Sequence, residues 1–145
     1  MPHTLRLTTL LERDYRQHAR PLQQLKQQLP LIDELCRTLG VSTFSSFIDI
    51  SAIEWQEAAQ LTGQDATSVE ADPETGTPLT IEDLSWHPAA LGMASLEAIS
   101  QHLQRGENLR FQVEDVTPLL TELADCLEHL APLEADGGQF HFAAA

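Results

Sequence analysis

Six apolar residues, Leu22, Leu25, Leu29, Ile32, Cys36 and Leu39, recur at alternating spacings of three and four. That spacing lines them up along one stripe of a helix, and such a stripe is stable only when buried against another element. Pro30 falls inside the stripe, so the helix either kinks there or breaks, with Pro30 as the first residue of a new helix. Gly40 follows Leu39 directly, where a left-handed C-terminal cap belongs.

The flanking segments read in the same manner. Over residues 4–19, Leu7, Leu10, Leu11 and Tyr15 share one helical arc with Asp14 and His18, opposite a stripe of Arg6, Arg13, Arg16 and Arg20. Phe44 and Phe47 are expected to turn inward from a single helical turn. Ser51 and Glu54 have the spacing of a capping box, and Gly63 ends the helix that presents Ile53, Trp55, Ala58, Ala59 and Leu61. Residues 64–80 read as a polar, acidic loop, or as a small hairpin between Val69 and residues 79–81. Pro88 opens a helix that Gly106 ends. Another starts near Thr117 and Pro118, carries Leu119, Leu120, Leu123, Cys126, Leu127 and Leu130 on one face, and weakens at Pro132. Residues 139–142 alternate polar and apolar, the period of a strand, and residues 143–145 form a tail with no structural weight. The expected fold is therefore mainly α with a minor β part. It is a single domain over residues 1–145, a bundle of about five helices with a short hairpin and a C-terminal strand.

Charge is distributed very unevenly. No lysine or arginine occurs from Thr38 to Gln104, a run of 67 residues that holds ten acids. Residues 1–50 carry a net charge of +1 and residues 51–145 carry −15, for the total of −14. An acidic surface of this kind repels phosphate, which disfavours nucleic-acid backbones and anionic membranes as partners. With 42% hydrophobic residues there is enough apolar material for a core. Cys36 and Cys126 stand far apart and read as buried thiols. The first residues lack the succession of a leader, and no apolar run approaches the ~18 residues of a membrane span, so the expected location is cytoplasmic.

Because the 67-residue run cannot neutralise its own acids, opposite charge must come from elsewhere. The arginine stripe can dock on the acidic half of the same chain or on a second copy, or the acids stay open for a basic protein. Glu54, Glu57, Asp65, Glu70, Asp72, Glu74, Glu82 and Asp83 are the interaction candidates. Ordinary solvation of an acidic surface is the plainer account of the same residues.

Catalytic signatures are absent: there is no Gly-x-Ser-x-Gly turn, no Gly-rich phosphate loop and no dense metal-ligand spacing. Three weaker sets of residues have chemistry to offer. His102 projects into an apolar helical arc and suits a general base, or equally a satisfied core histidine. Asp14 and His18 form an acid–base pair four residues apart, with Ser42, Thr43, Ser45 or Ser46 as unselected nucleophiles. Cys126 and His129, three apart, can reach one metal ion, with His141 as a third ligand.

In size, acidity and layout rather than in any motif, the second half resembles small bacterial toxin-immunity proteins. The features that carry this are Trp86, His87 and Pro88 opening a helix, then a leucine-rich helix and a short aromatic strand. The function expected is a non-enzymatic interaction domain that binds a basic partner, without a cofactor. The alternatives are a small enzyme or metal protein using the His and Cys residues, and a homodimer built on the stripe from Leu22 to Leu39.

Overall fold

The computed structural model describes residues 4–63, 70–105 and 116–145. Its organising element is a sheet. Strands β1 (Leu5–Leu11) and β2 (Asp14–Pro21) form an antiparallel hairpin, and β5 (Gln139–Ala144) lies antiparallel along the other side of β1. The two-residue strands β3 (Ile48–Asp49) and β4 (His87–Pro88) both pair with β5, β3 in parallel. The helices are α1 (Gln23–Gln27), α2 (Leu29–Leu39), α3 (Ser51–Leu61), α4 (Ala89–Gln104) and α5 (Thr117–Glu134).

This corrects the expected helical bundle: the chain has an α+β fold in which helices cover a five-stranded sheet. The largest error lies at residues 4–19, which form the β1–β2 hairpin. Leu5 and Leu7 alternate with Arg6 and Thr8, and that period of two decides their faces. No Gly, Asn or Asp–Gly turn signal marks the hairpin, although its turn places Glu12 in the left-handed region at φ 57°. A Cβ is strained there. Glu12→Gly is thus expected to stabilise the protein by about 0.5–1 kcal/mol in urea unfolding. Of the arginine stripe, Arg16 and Arg20 fall on the exposed edge strand β2, where charge and the closing Pro21 discourage pairing with other chains, while Arg6 lies on β1 and Arg13 in the turn.

The stripe from Leu22 to Leu39 is broken into two helices, with Pro30 in the first turn of α2 and Gly40 as its left-handed cap at φ 75°. Leu22, Leu25, Ile32, Leu35 and Cys36 are buried in the chain's own core. The proposed dimer seam is therefore consumed within one chain, and of its residues Leu39 alone counts as exposed. The α1 N-terminus has no side-chain cap of its own. Instead the buried Glu122 of α5 accepts the backbone N–H groups of Gln24 and Leu25, both at 2.9 Å.

Phe44 and Phe47 do turn inward, from a 3₁₀ turn. Ser51 is not a cap: its N–H and hydroxyl both turn back to the Asp49 carboxylate at 3.0 Å. Pro88 precedes α4 rather than opening it, and α5 runs through Pro132 to Glu134. No strand forms among residues 70–81, so the small hairpin does not appear there, while Val69, like Gly106, lies outside the described residues. The terminal alanines are not a loose tail: Ala143 and Ala144 pair with Arg6 and Leu5, and Ala145 exchanges backbone hydrogen bonds with Thr4.

Alternation along β5 sorts its side chains between two faces. Phe140 and Phe142 join the helical core with Leu5, Leu7, Ile99, Leu123 and Leu130. His141 points to the opposite face, where α3 and the segment from residue 70 to Trp86 lie across the sheet.

Candidate functional site

On that second face, His141 pairs with Thr8 across the β1–β5 ladder, and Asp49 pairs with Ala143 across β3–β5. Asp49 and His141 are 4% and 1% exposed. The Asp49 carboxylate accepts three hydrogen bonds, two from Ser51 and one from the Ser85 N–H at 2.7 Å. It thereby ties the start of α3 to the overlying segment. The Ser85 backbone lies beside the His141 imidazole and favours its protonated form, and the Trp86 ring sits against it at 4.5 Å between centroids. Trp86 is held in turn by its indole N–H donating to the Ile81 carbonyl at 2.9 Å and by an edge contact with Tyr15. Farther along the same segment, the Arg13 guanidinium clasps Glu74 and Glu82.

These contacts surround a pocket of about 270 Å³, lined by Tyr15, Asp49, Trp55, Leu79, His141 and the terminal alanines among others. His141 Nδ1 has no hydrogen-bond partner, and neither does Thr8 Oγ1 opposite it or His87 Nε2. Burial pushes the His141 pKa down to about 4, against the opposing pull of the Asp49 charge and the Ser85 backbone. The ring is therefore neutral at pH 7. Burial and then the Asp49 charge raise the Tyr15 pKa, which keeps its phenol protonated.

The histidine and cysteine candidates are not brought together as the sequence suggested. Cys126 is wholly buried in the helical core, where burial raises its thiol pKa to about 12. His129 turns away from it, and His141 is on the far face of the sheet. Instead His129 stacks on His18, with centroids 3.9 Å apart, joining one member from each of two separate candidate pairs. Asp125 lies 3.7 Å from His129 Nε2, and burial followed by the His129 charge lowers the His18 pKa. Asp14, the expected partner of His18, bonds Arg16 at 3.1 Å. His102 is half-buried near the end of α4, away from the pocket-lining residues. Among the described residues no three His, Cys, Asp or Glu side chains converge as a metal-ligand set.

The acidic candidates divide by role. Glu74 and Glu82 serve Arg13, and Asp125 lies 4.0 Å from Arg20, so two arginines of the stripe meet the acidic half of their own chain. Asp72 accepts the N–H groups of Glu74 and Thr75, and Asp83 forms a capping box with Thr80. Both therefore have structural work in turns. Glu54 and Glu57 stand exposed on α3, Glu70 is exposed beyond it, and Asp65 lies outside the described residues. Sequence reasoning passed over Asp49, Tyr15 and Trp55 as site residues. The available signal was His141 itself, a lone polar residue between two phenylalanines, which alternation must direct away from the core.

No helix among the described residues is long and apolar enough to cross a membrane. Compared with protein-family models, curated proteins and solved structures, the chain matches none of them.

Proposed function

We propose that the protein is a non-enzymatic interaction domain that receives a basic protein along the outer face of α3. The observation behind this reading is an open groove of about 680 Å³ between α3 and residues 78–83. Trp55, Ala58, Pro78 and Leu79 give it an apolar floor, Glu54 and Asp83 supply carboxylates at the rim, and no cation lines it. The rest of α3 supports the same reading, since only Ala59 of its eleven residues is fully buried. A lysine or arginine side chain can lay its stem on Trp55 while its charge meets the rim carboxylates. Complementary charge of this kind acts mainly on the rate of association and is screened by salt.

The test is capture from a lysate of the source organism at about 50 mM and about 500 mM salt, using the parent protein and the variant Glu54→Lys/Glu57→Lys. A basic protein should be held by the parent at low salt and lost both at high salt and by the variant. Retention that is indifferent to salt, or equal retention by the variant, refutes the reading.

A further inference from the structure

We propose that His18 and His129 form a proton-operated latch between the edge strand β2 and helix α5, closed while the pair carries no more than one proton and opened by the second. The latch lies on the helical face of the sheet, away from the groove along α3, and stands independently of the partner proposed there.

The first support is the contact itself. The two rings stack with centroids 3.9 Å apart and planes 27° from parallel, one ring coming from β2 and the other from α5. Both are half-buried, so protons from solvent reach them. The nearest neighbour from β1 is Thr9, whose Oγ1 lies 3.4 Å from His18 Nε2. One imidazolium against a neutral ring is an attractive arrangement. Two imidazolium ions at this separation repel, with no water between them to screen the charge.

The second support is the balance of charge around the pair. On β2, Asp14 bonds Arg16 at 3.1 Å. Between strand and helix, Asp125 lies 4.0 Å from Arg20 and 3.7 Å from His129 Nε2, and Glu128 lines the same space. These two arginines and three carboxylates leave one negative charge, which a single proton on the pair cancels. A second proton meets no remaining counter-charge among them. In keeping with this, burial and then the His129 charge lower the His18 pKa.

The third support is mechanical. β2 is the outermost strand and is bonded along one side only, to β1. Beside the rings is a cavity of about 300 Å³, lined by Leu11, Pro132 and Leu133 among others. The rings can therefore part and take up water at the margin of the sheet, without opening the core between α4, α5 and β5.

The test follows the histidine ring resonances of the full chain by NMR between about pH 8 and about pH 4.5. The pair should take up its protons in two steps at least about one pH unit apart. The cross-ring NOE should survive the first step and vanish with the second. The β5 amides should stay protected from exchange throughout, which separates release of β2 from unfolding. In His18→Phe, which keeps a ring there but no charge, His129 should titrate in one step, about one unit above the second step of the parent. Its contact with residue 18 should then persist at every pH. Asp125→Asn should lower the first step by about half a unit. A titration of His129 that His18→Phe leaves unchanged overturns the proposal. So does an NOE that persists when both rings are charged, and so does loss of β5 protection together with the NOE.

Discussion

Phe140→Ala is expected to destabilise the protein by about 4 kcal/mol, a large part of the roughly 5–15 kcal/mol that holds a domain of this size together. Phe140 is fully buried and stands where the helical layer meets the sheet. Its ring packs on Phe47 at 5.0 Å and on Phe142 at 5.6 Å between centroids. Gly92 of α4 lies so close above it that a methyl group there would overlap the ring. Glycine at that position is thus an adaptation to this one side chain. Truncation removes the transfer energy of a whole aromatic group and leaves a cavity bounded by a strand and a helix, neither of which can move in to fill it. Phe140→Leu, which keeps most of the volume, should cost distinctly less. Urea unfolding of the two variants checks the ordering, and equal small losses would mean the contact between α4 and β5 is loose.

The second large effect is a dependence on pH. His141 is held neutral, with its pKa lowered to about 4 from the ordinary 6.5, chiefly by burial. Between those values the unfolded chain binds a proton that the folded chain does not. Stability from this group is therefore complete above pH 6.5 and is lost as pH falls toward 4, by about 3 kcal/mol at its full extent. His18, also lowered, adds a smaller loss of the same sign. The carboxylates that Arg13 and Thr80 hold in the ionised form start from ordinary values of 4.5 and 3.8, so they act below most of this window. Urea midpoints measured from pH 7.5 to pH 4.5 should fall steeply for the parent protein and much less for His141→Phe. Parallel curves would show that His141 titrates normally and that the pocket is wetter than its geometry indicates.

The sequence was most legible where local chemistry decides local structure. Pro30 and Gly40 bound α2 because a missing N–H and a permissive φ act within one turn of the chain. Thr117 and Pro118 start α5 for the same reason, and alternation over residues 139–142 gave the β5 strand. Residues 4–19 were misread because four apolar side chains fit a helical arc while Leu5 and Leu7 fit a strand. Periodicity over so short a stretch cannot choose between them. The choice is made by β5, almost the whole chain away, whose backbone groups pair with β1.

The candidate site follows the same division. His129 and His18 were each noticed, but their stacking depends on α5 crossing the β1–β2 hairpin. Asp49 was one acid among many until β3 placed it beside β5 and Ser85 came over it. The sequence by itself determined the bounds of α2, the start of α5, the inward phenylalanines and the uneven charge, since each depends on a residue and its near neighbours. Only the tertiary structure decided which acids are occupied and which are free, and which histidine is left without a partner beside a pocket. Those properties belong to contacts between segments distant in sequence, and they are settled by the burial that forms the core, not by any local preference.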